Sequence, residues 1–425
     1  MSGPLEGTRV VELAIAIQGP AAGLYFANMG ADVIKVEPPY GDASRYHRGA
    51  NNSMPEDALG TQFTAMNKGK RSMSVDLHTK LGRSLMSALL ETADVFLTNY
   101  RGSALTRLGL DLQELTQRFP RLVVGHANGF GPAGDDADKA MLDGAAQARG
   151  GLVSLCGPAD GPPTAPGVAV ADHAGAMQLA LGCVTALAAR NGDGSSNGRG
   201  QLVQTSSLGA QLWLQMWELQ HSAMTGVPLR REGSHHPNIK APYGVYESAD
   251  GVPVMFVTAK TDEAWTSFWI FVDKPEVILM EEWNTPGKRI GVTGSEVGVE
   301  EVRAQMRDAI GSKTFAELEA FFYSEPEIIW ERVRGHDEVI TDPQNRANDY
   351  VVDLDMPGVG NVKTVGSLIA FSETPTATPQ PPPVLGAHTD ELMRELGFGN
   401  ADIDAVVRHA DAVREEMFAA LLGAD

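Results

Sequence analysis

The sequence predicts an α/β protein whose main domain is a doubly wound parallel sheet, and three observations carry that prediction. Short β-branched runs alternate with helix-length stretches from Arg9 to Gly125. The chain is 43% apolar and 21% charged, the balance of a globular protein. Its 425 residues exceed what one hydrophobic core usually encloses, so a second, smaller domain is expected.

Taken in order, Arg9-Val10-Val11-Glu12-Leu13 reads as the first strand, and Gly19-Pro20 leads into a helix over Ala21 to Met29 closed by Gly30. Asp32-Val33-Ile34-Lys35-Val36 follows as a second strand, so the opening is β-α-β. A helix from about Lys80 to Ala93 leads to the strand Val95-Phe96-Leu97-Thr98. Another near Leu112 to Arg118 leads to Leu122-Val123-Val124-Gly125. A Gly/Ser-rich loop from Asn191 to Gly200 precedes Gln201-Leu202-Val203-Gln204-Thr205 and a helix bearing Trp213 and Trp217 four residues apart, a pair expected in a core.

From Gly226 the texture changes. Tyr243 to Glu247 and Val254 to Val257 form a hairpin through Asp250-Gly251, followed by a helix capped by Thr261. A β-rich piece over Tyr350 to Val365, an extended Pro-rich connector from Thr374 to Pro383 and a helix capped by Thr389 complete the chain. The expected division is a large domain over 1–225, a small α+β domain over 226–330, and a linker with a C-terminal segment over 331–425.

Charge and motifs exclude several classes of function. A formal net charge of −20 opposes broad binding to nucleic acid or anionic lipid, which draws on clustered Lys and Arg. Against that background Lys68, Lys70, Arg71, Arg101 and Arg107 form either a solvated basic face or a site for one small anion. Cys156 and Cys183 make no CxxC pair and no ligand spacing, so neither a disulfide framework nor a metal site is expected. The start, Met1-Ser2-Gly3-Pro4-Leu5-Glu6, lacks a secretory pattern, and the apolar stretch Leu179 to Ala189 is too short to span a bilayer. A cytoplasmic protein is the expectation. The turn after the first strand has no GxGxxG, and no GxxxxGK[ST] occurs anywhere, which removes the main support for NAD or P-loop chemistry.

One region concentrates small residues around a carboxylate. The run Thr164 to Ala186 reads as a short apolar strand, then Asp172, then a helix, placing Asp172 where open α/β sheets bind ligands and where helix N–H groups favour negative charge. Gly175 and Ala176 would let a ligand approach the backbone. Aspartate is also a favoured helix cap, and that reading stands beside the catalytic one for Asp172 and for Asp143, which precedes a second helical run.

The chain resembles the family III CoA-transferases, the group that includes formyl-CoA, carnitine and bile-acid CoA-transferases. The resemblance is carried nearly end to end by Leu5-Glu6-Gly7-Thr8-Arg9-Val10-Val11-Glu12-Leu13, Gly19-Pro20, Gly30-Ala31-Asp32-Val33-Ile34-Lys35-Val36-Glu37, Gly41-Asp42 and Asn67-Lys68-Gly69-Lys70-Arg71-Ser72. It continues through Asn99-Tyr100, Gly129-Phe130-Gly131, Gln147-Ala148, Gly198-Arg199-Gly200-Gln201, Asp342-Pro343-Gln344 and Leu385-Gly386-Ala387-His388-Thr389.

The resemblance implies that Asp172, in Ala171-Asp172-His173-Ala174-Gly175, is the nucleophile of a CoA-transferase passing through aspartyl-anhydride and aspartyl-CoA intermediates. By the same carry-over Asp143 is a supporting acid, and Gln18 lines the reacting thioester. Coenzyme A contacts fall on Arg107, Asn99, Tyr100, Arg101, Val75, Leu77 and His78. Acyl-CoA and a carboxylic acid are the implied substrates, with no metal. An interlocked, ring-like homodimer is implied too, its large domain built from both chain ends. Where formyl-CoA transferases carry a glycine-rich loop, this chain has Gly233-Ser234-His235-His236-Pro237-Asn238 and Ala241-Pro242-Tyr243-Gly244, a departure that counts against oxalate or formate as acceptor. Two alternatives remain open here. One is an α-methylacyl-CoA racemase-like isomerase, whose histidine position is held by Leu142. The other is a non-catalytic CoA-binding protein.

Overall fold

The computed structural model describes residues 3–55, 58–192, 196–239, 242–289 and 299–422. Part of the Asn191–Gly200 loop, together with Ala241, lies outside them. Two compact units result. The first comprises Met1–Gly150, Val168–Leu214 and Ile340–Asp425, so both chain ends belong to it; the second comprises Gly151–Gly167 and Gln215–Val339.

The first unit is built on six parallel strands: β1 (Arg9–Leu13), β2 (Asp32–Glu37), β3 (Arg71–Ser74), β4 (Val95–Thr98), β5 (Val123–Asn128) and β6 (Leu202–Ser206). Their order is β3-β2-β1-β4-β5-β6. The near-continuous apolar runs have a two-sided burial to satisfy, as parallel sheets require. Val11, Leu13, Ile34, Val36, Phe96 and Val124 enter one core with the helices Lys80–Glu91 and Thr389–Glu395. Their neighbours Val10, Val33, Val95, Leu97 and Val123 enter the other with the helices Gln18–Asn28 and Val170–Asn191. A period of two thus sorts each strand between two helical layers.

β1 and β4 are adjacent, so the chain leaves the sheet there in opposite directions. The loops after these strands diverge at their carboxyl ends and open the crevice where such folds bind ligands. The Asn99 side chain spans the two loops: its Oδ1 accepts from the Ile15 N–H at 3.0 Å and its Nδ2 donates to the Ile15 carbonyl at 2.8 Å.

Beneath the β1 loop lies a buried set of charges. Glu12 receives Lys35 Nζ at 3.1 Å and Lys70 Nζ at 2.7 Å. Lys35 also donates to the Ala14 carbonyl and sits 3.2 Å from Asp42, whose carboxylate accepts the Ala16 N–H. Lys70 also donates to the Pro20 carbonyl and to Asn67. Three nearby carboxylates, Glu12, Glu37 and Asp42, hold the Lys35 ammonium up against the burial that would neutralise it. Lys70 draws mainly on Glu12, and burial pushes it down to about 8. Arg71 pairs instead with Asp32, Glu391 and Glu395. Lys68, Lys70 and Arg71, read from sequence as a basic face or anion site, therefore serve internal contacts; buried Lys68 donates to Thr364 Oγ1 and the Val365 carbonyl.

Thr389, expected to cap a helix, does not. Its hydroxyl accepts the Ser74 N–H on edge strand β3 at 3.0 Å, and His388 Nδ1 accepts that of Ser72. An edge strand with open N–H groups needs such cover, and that need outweighs a local cap. The Pro-rich connector is extended as expected, with Gly69 donating to Gln380 and Ala377 to Asn28. The piece over Tyr350 to Val365 is an antiparallel hairpin.

The second unit contains a three-stranded antiparallel sheet, β7 (Gly244–Glu247), β8 (Pro253–Ala259) and β9 (Ile328–Arg332), whose hairpin turns through Gly251 at φ 80°. Thr261 caps the next helix by accepting the Ala264 N–H. Its core gathers Trp265, Phe268, Trp269, Phe256 and Phe322. Trp213 and Trp217 are not core residues and do not share a helix: Trp213 lies on one that ends at Leu214, Trp217 on a second that begins at Met216, and they are 61% and 55% exposed.

Glu12→Gln removes the charge that two buried ammonium groups share. It should lower stability by about 3 kcal/mol, the scale for orphaning a buried charge, read as a drop in thermal midpoint against wild type.

Candidate active site

Asp172 lies in the first turn of the Val170–Asn191 helix, three residues past its cap position, Ala169. No strand precedes it, contrary to the sequence reading: residues 160–169 are irregular, broken by Pro162, Pro163, Pro166 and Gly167. Its route to the carboxyl edge of the sheet is through contacts. Ser207, the residue directly after β6, donates its hydroxyl to Asp172 Oδ1 at 3.1 Å. Ala169 provides no side-chain cap, and the Asp172 N–H is taken by Asp143 Oδ1 at 3.0 Å. A carboxylate 29 residues away in sequence therefore does the work of a helix cap.

Asp143 opens the helix Asp143–Arg149. Gln147, one turn on and 1% exposed, donates to the Asp143 carboxylate and, at 3.0 Å, to the Val168 carbonyl. This amide ties the helix to the segment that delivers Asp172, and its own Oε1 is buried with no hydrogen-bond partner among the described residues.

Gln18 begins the helix that follows β1. Its side chain is 4% exposed and its Nε2 likewise has no partner among the described residues. That amide packs on Gly175, where a Cβ would stand 2.3 Å from Nε2. Gly175 is one turn beyond Asp172. Asp172, Asp143 and Gln18, far apart in sequence, thus meet around the first turn of one helix. Sequence reasoning missed Ser207 and the bridging use of Gln147; their partners lie 35 and 21 positions away, and no local pattern announces them.

Burial, with a smaller push from the Asp143 charge, lifts the Asp172 carboxyl to about 6 against the opposing Ser207 hydrogen bond. Burial holds the neighbouring His173 imidazole below its ordinary value, while the Asp143 charge acts in the opposite sense. Asp172 is therefore a carboxylate at neutral pH, but a more basic one than free aspartate.

The candidate coenzyme A residues divide by location. Asn99, Tyr100 and Arg101 follow β4 at the crevice, and Arg107 ends the next short helix. Arg101 and Arg107 are exposed cations, both near enough to Asp138 to help hold its carboxyl low, after the dominant hydrogen bonds from Ser103. Tyr100 packs against the core, and burial pushes its hydroxyl up to about 12. Val75 and Leu77 follow β3 with side chains buried in the same core, so any ligand there would meet their backbone. His78 is exposed, and Arg83 donates to the Leu77 and His78 carbonyls.

The loop expected to replace a glycine-rich segment belongs to the second unit. There His235 Nδ1 lies 2.9 Å from the Tyr243 carbonyl, and His236 stacks on Trp217 with its Nε2 3.4 Å from Glu218. Among the described residues no cluster of three His, Cys, Asp or Glu is arranged to hold a metal ion, and no helix is long and apolar enough to cross a membrane.

The Asp172 setting predicts a pH-dependent stability. Ionising this carboxyl is harder in the fold than in the unfolded chain, where it titrates near 3.9. The cost is absent below that value, grows as pH rises toward 6, and is complete above it. Asp172→Asn should therefore stabilise the protein above pH 6 by about 1–2 kcal/mol, with the gain vanishing near pH 4, measured by thermal unfolding across pH.

Comparisons with known proteins agree over most of the chain. A succinyl-CoA:mesaconate CoA-transferase from Haloarcula hispanica is 30% identical over 93% of this chain and 97% of its own length. A formyl-CoA:oxalate CoA-transferase from Rhodopseudomonas palustris is 30% identical over 95% of this chain and 96% of its own. The crystal structure of a CAIB/BAIF family protein from Brucella suis superposes with a TM-score of 0.79 at 26% identity, covering 93% of this chain and all of that one. Residues 5–389 match the sequence profile of CoA-transferase family III.

Proposed function

The chain belongs to CoA-transferase family III, and from that premise we propose that Asp172 is the carboxylate through which it moves coenzyme A from an acyl-CoA to a free acid. The observation that carries this reading is the setting of Asp172: a half-buried carboxyl raised to about 6, fixed through its own N–H and one oxygen, beside the crevice side chain Gln18.

Asp172 attacks the thioester carbonyl of the donor, giving a mixed anhydride and the thiolate of coenzyme A, which leaves without needing a proton. The thiolate then attacks the aspartyl carbon, releasing the donor acid and leaving an aspartyl-CoA thioester. The acceptor carboxylate opens that thioester, and the returning thiolate frees the new acyl-CoA and the aspartate. Partial burial helps here: a carboxylate with less water around it is a stronger nucleophile, and a pKa near 6 still leaves it ionised at neutral pH. Asp143 holds the first turn of the helix in place. The Gln18 amide and the N–H groups at the start of its helix, which has no side-chain cap, are the donors offered to the thioester oxygen. Arg101 and Arg107 supply positive charge for the phosphates of coenzyme A, with Asn99, Tyr100 and the Val75–His78 backbone lining its path.

The isomerase alternative lacks a proton acceptor where its histidine would stand, since Leu142 is a hydrocarbon side chain 81% exposed. Relatives named for succinyl-CoA and for formyl-CoA stand at the same identity, so overall similarity does not choose the acyl group. The reading includes a homodimer, interlocked as the family resemblance implies, with the unit holding both chain ends as the coenzyme-binding domain. Support for a partner copy comes from Met177 and Leu181 on one exposed helix face and from Leu212 and Trp213 on the helix after β6, since a folded chain rarely leaves such side chains uncovered. A single monomeric mass in solution would contradict the dimer.

Exchange assayed over a panel of acyl-CoA donors and carboxylate acceptors tests the function. Wild type should transfer coenzyme A between at least one pair, with kcat/KM falling tenfold per pH unit below about pH 6 as Asp172 protonates. Asp172→Ala should lose more than about a thousandfold, the scale of nucleophile loss. Full exchange by that variant would end the reading.

A further inference from the structure

We propose that Ser207 is a second catalytic residue, the hydrogen-bond donor that carries the negative charge whenever the carboxyl carbon of Asp172 becomes tetrahedral. The inference rests on the reading of Asp172 as acyl acceptor and assigns the oxyanion of its aspartyl steps.

Ser207 is fully buried, and its Oγ–H points at Asp172 Oδ1 across 3.1 Å. A serine at the start of a helix ordinarily caps it, but that role is filled by the preceding residue: Ser206 Oγ accepts the Gly209 N–H at 2.9 Å. The Ser207 hydroxyl is thereby left to serve a different helix. Two serines in succession at the carboxyl end of β6 divide the work, one closing its own turn and the other reaching Asp172.

The bond order of the reaction gives that contact its meaning. One oxygen of Asp172 attacks the donor carbonyl and becomes the bridging atom of the anhydride. The oxygen held by Ser207 is the non-bridging one. When the thiolate attacks the aspartyl carbon, a carbon–sulfur bond forms and the carbonyl electron pair moves onto the held oxygen. That pair then returns as the bond to the bridging oxygen breaks and the donor acid departs as a carboxylate. Opening of the aspartyl thioester by the acceptor repeats the sequence: a carbon–oxygen bond forms, charge lands on the same oxygen, and the carbon–sulfur bond breaks with thiolate leaving. No proton moves in either step, so the requirement is for a fixed donor rather than an acid, and a buried hydroxyl already in place meets it. The groups acting on this carboxyl are the Asp143 charge from the Asp143–Arg149 helix and the Ser207 hydroxyl; the Gln18–Asn28 helix faces the same turn with the uncharged amide of Gln18.

The test uses the full-length enzyme with Ser207→Ala and Ser207→Cys. The alanine variant should lose about 10²–10³-fold in kcat, the effect of deleting one oxyanion donor, with KM for acyl-CoA not raised. Its acidic limb should move to higher pH, because the lost hydrogen bond favours the ionised carboxyl. Hydroxylamine added during turnover should then yield mainly the hydroxamate of the donor acid, as the anhydride waits for attack at the aspartyl carbon. The cysteine variant keeps the volume with a weaker donor and should fall between, which preserves the test if the alanine variant fails to fold. Wild-type kcat in either folded variant overturns the proposal, as does a rate loss with the pH limb and trapped product unchanged. Asp172→Ala assayed in parallel separates the two claims: exchange surviving there would sink the reading of Asp172, whereas an inert Asp172→Ala beside a fully active Ser207→Ala sinks only this inference.

Discussion

The carboxyl edge of the sheet depends on charges that have no water to share. Glu12, Lys35 and Lys70 are buried within the first unit, and none has an alternative partner in solvent. Removing any one leaves another uncompensated, which in a dry interior is far more costly than losing a surface pair. What the arrangement fixes is a loop. Lys35 holds the Ala14 carbonyl, Asp42 holds the N–H of Ala16 at its positive φ of 62°, and Lys70 holds the carbonyl of Pro20. Gln18 lies between these anchors. Gly23 belongs to the same constraint: a Cβ there would lie 1.8 Å from Glu12 Oε2, so the helix seats against the carboxylate only because that position is bare.

The second constraint is the close approach of two helices. Gln18–Asn28 packs on Val170–Asn191, whose buried face is made largely of Ala171, Gly175, Ala176, Ala180 and Ala186. Small residues let the backbones come together and bring the Gln18 amide onto Gly175, beside Asp172. Asp143 completes the site from a third helix by capping the first turn. Opposing effects then set the carboxyl: the helix N-terminus and Ser207 favour the ion, while burial and the Asp143 charge disfavour it more strongly. The outcome is an aspartate both ionised and basic at neutral pH, which is what an acyl acceptor requires.

How far the sequence was legible follows from the range of the forces involved. The parallel strands were readable because Val10-Val11 and Val33-Ile34 must satisfy two cores at once, leaving an unmistakable apolar run. The hairpin at Asp250-Gly251 and the Thr261 cap were readable because both are decided within four residues. Thr389 and Thr261 look alike locally, yet Thr389 is claimed by Ser74 of an edge strand, 315 positions away. Lys70 and Arg71 adjoin in sequence, and only the alternation of β3 and its approach to Glu12 and Asp32 shows that they face different carboxylates. Of the candidate site, Asp172, Asp143 and Gln18 are implied by the family resemblance, while residue patterns alone leave the two acids open between cap and catalyst. Ser207 was invisible because its significance is a tertiary contact.

The central claim is that Asp172 becomes covalently acylated, and one measurement tests it most directly. The enzyme is mixed with an acyl-CoA donor, quenched with hydroxylamine, digested, and the peptide containing Asp172 examined by mass spectrometry. The account predicts a hydroxamate on Asp172 that appears only when the donor is present. An enzyme that exchanges coenzyme A while Asp172 stays unmodified, or that carries the adduct on Asp143, would contradict it.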